Sequence, residues 1–415
     1  MGISQRNVAN MIKACSVLGI ACLFMTNIVV RIEASPKGRI LQGETVYDIT
    51  KYGAKGDGTT DDAMSLIQAW RAGCDSAGAA RILVPAGKKF MMGEVVMTGP
   101  CKAKPPIILD IQGTLNANPD PSSYSNMMWI LIEHVNNIKI TGGGTLNGQG
   151  PSVWKYADEG NHMPVGFTFQ SSSNGDISNL NFVDSMGFHT KLIDSINIKV
   201  TNLKITAPDD SPNTDGMHFS NATNVEMSDC VIGTGDDCIS IGTGSKNLMF
   251  RRIKCGPGHG LSVGSLGKRP DELSVGNITF INCSCTGTTN GARIKSYHAS
   301  PVLTAQTIIY QDIIMDKVKN PIIIDQHYDS KNKAEQSNVK ISDVHFRNIK
   351  GTTISKVPIL LNCSSKYPCD NIELANIDLK PVPPLTETSS ACVSATNLKI
   401  SGTIIPPAPT ACTKK

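Results

Sequence analysis

The chain is poor in aromatic and charged residues. Of its 415 residues, 5% are Phe, Trp or Tyr and 18% are Asp, Glu, Lys or Arg. The formal net charge of +4 is small for this length and lacks the dominant basic character of a nucleic-acid-binding protein, so we predict no nucleic-acid partner. Low charge combined with 37 glycines favours a β-rich extracellular protein over a helical or disordered one.

A long apolar run occurs only near the N-terminus. Residues 14–30 are largely apolar, follow the basic residue Lys13, and precede the small residue Ala34. This order predicts a secretory signal peptide over residues 1–34, and hence a secreted, extracellular or cell-wall protein without stable membrane association. A membrane anchor is the alternative, but polar residues interrupt the run, and a span needs about 20 clean apolar residues.

The 13 cysteines fit a secreted protein that is held together by disulfide bonds. Eleven of them follow the predicted signal peptide, and this odd number leaves at least one thiol unpaired. Cys283 and Cys285 are too close in sequence for a zinc site and have no histidine pair nearby, so we predict neither a metal nor another cofactor. Four Asn-x-Ser/Thr sequons agree with the secretory route. They begin at Asn221, Asn277, Asn282 and Asn362.

Short segments of the form Asn-apolar-polar-apolar recur along most of the chain. The steps from Asn179 through Asn202 and Asn224 to Asn247 are 23, 22 and 23 residues. Each segment is too short and too alternating for a helix. A repeat of about 20–25 residues built from short strands and polar turns indicates a solenoid.

The repeat favours one kind of solenoid. Leucine-rich repeats have a similar period, but here the leucine framework is absent and β-branched residues dominate. We therefore predict an all-β, right-handed parallel β-helix as a single domain over residues 35–415. Apolar residues at helical spacing over residues 61–77, with Asp61 as the N-cap, predict a short capping helix at its N-terminal end.

Three polar segments, NTD, GDD and GHG, are separated by the length of one repeat. Asp215, Asp237 and His259 are 22 residues apart. On a β-helix they would occupy equivalent positions on successive coils, with neighbours about 5 Å apart. Asp236 would lie beside this row, where Gly235 allows a local bend that brings both carboxylates to one cleft.

Clustered carboxylates suit the cleavage of a glycosidic bond. Like charges at close quarters raise at least one pKa, which supplies an acid and a base from one residue type. Arg293 and Lys295 are two residues apart and would share one face of a strand. A guanidinium and an ammonium group together suit a sugar that bears a carboxylate. Each motif alone is also compatible with a turn or a solvated pair, but their common spacing favours an active site.

At these motifs the sequence resembles glycoside hydrolase family 28, the polygalacturonases, and especially plant pollen-type exopolygalacturonases. NTD, GDD, GHG and RIK occur in the family's order, and the similarity extends from residues 47–62 to the C-terminus. The resemblance implies a β-helical enzyme that hydrolyses α-1,4-galacturonosyl linkages of pectin or polygalacturonate with inversion and without a metal. We expect an exo-acting monomer, with endo action as the alternative.

The resemblance also implies roles for individual residues. Asp236 would protonate the leaving oxygen, and His259 would help to maintain its proton. Asp215 and Asp237 would hold and activate the attacking water. The galacturonate-binding residues would be Asn213, Arg293, Lys295 and Tyr328. The implied disulfides are Cys238–Cys255, Cys363–Cys369 and Cys392–Cys412.

Two other functions are compatible with a β-helix. A pectate-lyase-like enzyme would need calcium and an arginine base, and it would leave an unsaturated product. A catalytically silent wall-binding protein would share the fold, but the intact motifs argue against it.

Overall fold

The computed structural model describes residues 43–157, 162–328, 335–409 and 411–413. The predicted signal peptide at residues 1–34 lies outside these ranges. Within them, no helix is long and apolar enough to cross a membrane.

The described chain winds into coils whose strands pair in parallel with those of the next coil. One sheet, which we call the eleven-stranded sheet, joins its strands strictly in chain order. This stacking confirms the predicted parallel β-helix. The described strands of this sheet are Val95–Thr98, Met128–Glu133, Val165–Gln170, Thr190–Ile193, Met217–Ser220, Ile239–Ile241, Leu261–Leu266, Asn290–Tyr297, Asn320–Tyr328, Ile359–Asn362 and Ser390–Val393.

The remaining strands of the described ranges belong to a second, larger sheet, which is also parallel. It comprises Glu44–Asp48, Asp57–Asp61, Ala79–Val84, Lys89–Met92, Lys104–Ile111, Thr114–Ala117, Asn136–Thr141, Thr145–Asn147, Ser173–Val183, Ile196–Thr206, Thr223–Ser228, Val231–Gly233, Lys246–Arg251, Lys254–Cys255, Val275–Ile281, Ser284–Thr286, Leu303–Val318, Val339–Thr353, Cys369–Pro381, Ala395–Thr396 and Lys399–Ile405.

The predicted capping helix is present over Ala63–Cys74 and is shorter than residues 61–77. Asp62, rather than Asp61, holds its N-cap position, and the Asp62 side chain bonds to two preceding backbone N–H groups instead of the helix. Asp61 still contributes, because its Oδ1 accepts a hydrogen bond from the backbone N–H of Ala63 at 2.9 Å. Short 3-10 turns span Ile49–Tyr52, Pro121–Ser123, Gly150–Ser152 and Trp154–Tyr156.

Asparagines stack at one turn of successive coils. Asn197, Asn224, Asn247 and Asn277 all have a positive φ, a left-handed conformation in which asparagine is enriched. The side-chain amides of the last three donate a hydrogen bond to the side-chain oxygen of the residue before, at 2.7 to 3.1 Å. We call these four residues the asparagine ladder.

The repeat that we read from the sequence mixes two such rows. Asn202 donates to Asn179 in a different row, whereas Asn224 belongs to the asparagine ladder. The predicted step from Asn202 to Asn224 is therefore wrong, because it does not join equivalent positions. Steps within the ladder are 27, 23 and 30 residues. Coil length thus varies, and the additional residues enter loops while the paired strands keep their register.

Aromatic rings stack inside the coils. Phe250, Phe280, Tyr310 and Phe346 are fully buried, and successive ring centroids are 4.6, 4.8 and 5.5 Å apart. These distances are close to the roughly 4.8 Å between paired strands. The stack therefore follows directly from the register of the larger sheet.

Four disulfides join described cysteines. Three are the pairs implied by the family resemblance, which are thereby confirmed: Cys238–Cys255, Cys363–Cys369 and Cys392–Cys412. The fourth, Cys74–Cys101, was not predicted; it links the last residue of the capping helix to a loop. The unpaired thiols, all buried, are those of Cys230, Cys283 and Cys285.

Candidate active site

Asp215, Asp237 and His259 occupy equivalent positions on three successive coils. Each lies two residues before the first residue of a strand in the eleven-stranded sheet, and these first residues pair with one another. The backbone N–H of Gly216 also donates to the carbonyl oxygen of Asp237 at 2.8 Å. The equal spacing in the sequence thus corresponds to one row in the structure, as predicted.

Glycines allow the turns that carry these residues to pack closely. A Cβ atom on Gly235 would lie 2.0 Å from the carbonyl oxygen of Ser211, and one on Gly258 would lie 2.5 Å from that of Asp236. The backbone N–H of Gly235 donates to the hydroxyl oxygen of Thr214 at 3.0 Å. The NTD and GDD segments are therefore held against each other.

Asp237 is a buried carboxylate surrounded by donors. Its Oδ1 accepts from Ser262 Oγ at 2.7 Å and from Arg293 Nη2 at 2.6 Å, and its Oδ2 accepts from Lys295 Nζ at 2.8 Å. Burial opposes ionisation, but the positive charges of Arg293 and Lys295 outweigh it and hold the pKa of Asp237 below its usual range. Asp237 is therefore an ionised carboxylate.

The pKa of Asp215, one coil away, is displaced in the opposite direction. It is buried, and Ser240 Oγ donates to its Oδ2 at 2.6 Å. Burial raises its pKa well above the usual value, and the charges of Asp236 and Asp237 add to the effect. Two equivalent positions thus hold carboxyl groups whose pKa values are displaced in opposite directions.

Asp236 lies beside this row and pairs with His259, the third member of the row. His259 Nδ1 lies 2.8 Å from Asp236 Oδ1, and the same oxygen accepts the backbone N–H of Asp237. The side chain of Asp236 is 22% exposed, compared with 1% for Asp237. Asp236 is therefore the carboxylate in this cluster that a large substrate can approach.

Three groups in the site could in principle surround a cation. One potential ligand atom from each of Asp236, Asp237 and His259 lies within 4.8 Å of the others. However, both oxygens of Asp237 already accept hydrogen bonds from the cations Arg293 and Lys295. A metal ion would be repelled by these two charges, so the donor set does not suit one.

The other predicted binding residues lie near these charges. Lys295 Nζ is 4.9 Å from the centroid of the Tyr328 ring, and the Tyr297 ring packs edge-on against Tyr328. Asn213 is half-buried in the same turn as Asp215 and has a φ of 49°. The structure thus brings Tyr328 to the cation cluster and leaves Asn213 two residues from a carboxyl group.

Sequence reasoning missed three residues that hold the site. Ser240 and Ser262 donate to Asp215 and Asp237, and they are themselves 22 residues apart, a signal that could have identified them. Tyr310 lies on the larger sheet. Its hydroxyl reaches across the core to the carbonyl oxygen of Arg293 at 2.9 Å, a contact without any local sequence signal.

Comparison with known proteins identifies the family. Residues 74–402 match the model of glycosyl hydrolases family 28. An exopolygalacturonase from Arabidopsis thaliana is 44% identical over 340 residues, which cover 81% of this chain and 79% of that protein. A polygalacturonase from Gossypium hirsutum is 40% identical over 348 residues, covering 82% and 85%. The chain belongs to glycosyl hydrolases family 28, and the resemblance seen in its motifs is confirmed.

Solved structures share the fold. An endo-xylogalacturonan hydrolase from Aspergillus tubingensis superposes with a TM-score of 0.77 at 23% identity, covering 89% of this chain and 100% of that one. A polygalacturonase from Erwinia carotovora gives a TM-score of 0.65 at 23% identity, covering 82% and 94%. At these identities the likeness establishes the fold alone.

Proposed function

We propose that this glycoside hydrolase is a polygalacturonase, which hydrolyses α-1,4-galacturonosyl linkages of pectin or polygalacturonate. The observation that carries the proposal is the pair of stacked carboxyl groups, Asp215 and Asp237, whose pKa values are displaced in opposite directions. Arg293 and Lys295 beside them suit a sugar with a carboxylate. The names of the plant relatives support the same substrate.

Asp236 is the general acid in this mechanism. It is the most accessible of the three carboxyl groups, so it can reach the oxygen of the leaving sugar. His259, whose Nδ1 is 2.8 Å from the Asp236 carboxyl oxygen, can supply or retain the proton that the acid transfers.

Asp215 and Asp237 hold the attacking water. Asp215, whose pKa is raised, holds a proton more readily than Asp237, whereas Asp237 is ionised and can accept one from the water. Attack on the face opposite to the leaving group inverts the anomeric centre. Arg293, Lys295, Asn213 and Tyr328 contact galacturonate in this proposal.

Replacing Asp236 tests the mechanism. We expect Asp236→Asn to lower kcat on polygalacturonate about 10²- to 10⁴-fold, the usual contribution of a general acid. Reducing-end assays with the purified proteins measure this loss. Equal activity of the wild type and Asp236→Asn would contradict this mechanism. A product that absorbs as an unsaturated uronide and disappears with a chelator would show a lyase instead.

We further propose that the enzyme is exo-acting, secreted and monomeric. The exopolygalacturonase among its relatives supports the first property, and the four disulfides support an oxidising compartment. Product sizing on polygalacturonate separates the modes of action, since an exo enzyme releases monomer only and an endo enzyme releases mixed oligomers.

A further inference from the structure

Lys191 shares a row with the residues that support the catalytic carboxyl groups. The register of the eleven-stranded sheet aligns Lys191 with His218, Ser240, Ser262 and Arg293 on five successive coils. Ser240 and Ser262 are the hydroxyls that bond to the two stacked carboxyl groups. Lys191 and Arg293 are therefore cations at opposite ends of the row, with the carboxyl groups between them.

In the part of the chain that the structure describes, the ammonium group of Lys191 makes no ion pair, although the charge of Asp215 acts on it and opposes the lowering of its pKa by burial. The side chain is half-buried, and Nζ lies 4.4 Å from the centroid of the Phe188 ring without an ion pair or hydrogen bond. Lys295, by contrast, is paired with Asp237 at 2.8 Å. Covering a charge without pairing it costs free energy, so an unpaired ammonium here is a site that an anion would stabilise.

A loop that follows a strand of the same sheet carries a second cation. Residues 267–273 connect Leu261–Leu266 with the next strand of the larger sheet. The buried carboxylate of Glu272 accepts the backbone N–H groups of three loop residues at 2.7 to 3.0 Å, which fixes the shape of the loop. One of these residues, Arg269, has its side chain 61% exposed and makes only a long contact of 3.6 Å with Asp271. Its guanidinium remains available to a ligand.

The charge of Arg269 acts on the coils that carry Lys191 and His218. Burial lowers the pKa of both side chains, and the positive charge of Arg269 contributes in the same direction. His218 has its pKa lowered to about 3 and is therefore neutral between Lys191 and Ser240. The positive charge on this side of the carboxyl groups thus comes from Lys191 and Arg269.

We propose that Lys191 and Arg269 form a second carboxylate-binding site for the polyuronide chain. It binds a sugar on the side of the scissile bond opposite to Arg293 and Lys295. This inference rests on the proposed function, because every sugar of an unesterified polygalacturonate chain carries a negative charge. A cleft with cations on both sides of the reacting bond holds the chain across the carboxyl groups at two points.

Binding to an inactive parent separates this site from the catalytic groups. The probe is an oligogalacturonate long enough to extend to both sides of the cleft, titrated calorimetrically into the full chain carrying Asp236→Asn. We expect Lys191→Gln or Arg269→Gln in this parent to weaken Kd about tenfold, as for the loss of one charged hydrogen bond. The difference should shrink in high salt.

Two controls test the chemistry of the site. Lys199→Gln removes the same charge from an exposed residue of the larger sheet and should leave Kd unchanged. A fully methyl-esterified oligomer should bind the parent and Lys191→Gln equally. Unchanged Kd in both site variants, with normal hydrolysis by the wild-type enzyme, overturns this inference alone. Failure of the oligomer to bind the parent, with no hydrolysis by the wild type, overturns the proposed function as well.

Discussion

Two rows of stacked side chains follow the same strand register and have opposite electrostatic consequences. In the asparagine ladder the inner residues Asn224 and Asn247 each donate to the residue before and accept from the residue after. In the carboxyl row, Asp215 and Asp237 cannot satisfy each other when both are ionised, because a carboxylate only accepts hydrogen bonds. Stacking equal residues therefore stabilises the fold where the side chain both donates and accepts, and it displaces pKa values where the side chain is an acid.

The largest expected effect comes from replacing an aspartate of the carboxyl row with asparagine, the residue that forms the ladder. Asp237→Asn removes the ionised acceptor and leaves Arg293 and Lys295 without their anion. We expect kcat on polygalacturonate to fall about 10³-fold, or roughly 4 kcal/mol in activation free energy. The reverse change in the ladder, Asn247→Asp, should keep kcat within about twofold of wild type by the same reducing-end assay. Retained activity in Asp237→Asn would exclude this row as the catalytic centre.

A smaller effect, on stability alone, is expected from breaking the ladder. Asn247→Ala loses the hydrogen bonds to Asn224 and Asn277 and places alanine at a φ of 58°. We expect the free energy of unfolding to fall by about 2 kcal/mol, measured by denaturant titration, with kcat unchanged. Asn247→Gly is the matched control, since glycine tolerates this φ and should lose less. Equal losses in the two variants would mean that φ contributes nothing.

The smallest expected effect is a gain in stability from neutralising Asp215. Its folded-state pKa is raised, so its contribution to stability is greatest below its unfolded pKa of about 3.9 and declines as the pH rises. Asp215→Asn avoids this decline. At pH 7 we expect a variant that is more stable by about 1 kcal/mol, with Tm raised by about 2 °C, and inactive.

Calorimetric Tm values at pH 4 and pH 7 check this prediction. The advantage of Asp215→Asn should shrink at pH 4, where the carboxyl group of the unfolded chain is about half protonated and folding takes up less of a proton. If Asp215→Asn is less stable than wild type at pH 7, or if its gain in Tm is the same at both pH values, the raised pKa of Asp215 does not lower the stability of the wild type.

The sequence predicted the fold and the row of site residues for one reason. Between Met217 and Leu261 each coil contains 22 residues, so residues that are 22 apart in the sequence occupy equivalent positions on successive coils. The next step along the same sheet, from Leu261 to Ala292, takes 31 residues, and there spacing alone predicts nothing. The mistaken step from Asn202 to Asn224 has the same origin, because similar intervals can join different corners of a coil.

Electrostatic properties were beyond the reach of the sequence. The pKa of Asp237 depends on Arg293, which is 56 residues away, and the buried surroundings of both residues arise only from the coiling of the chain. Lys191 is a single lysine in a short strand, without a motif to mark it. Its relation to Arg293 becomes visible only when five strands are aligned.

The variable length of the coils has an evolutionary consequence. Residues 267–273 could gain or lose members without displacing Asp215, Asp237 or His259, because those side chains depend on strand pairs that the loop does not enter. Insertions and deletions in this loop would therefore leave the row of site residues in place, so the loop is free to diverge while the positions of the three side chains are inherited unchanged.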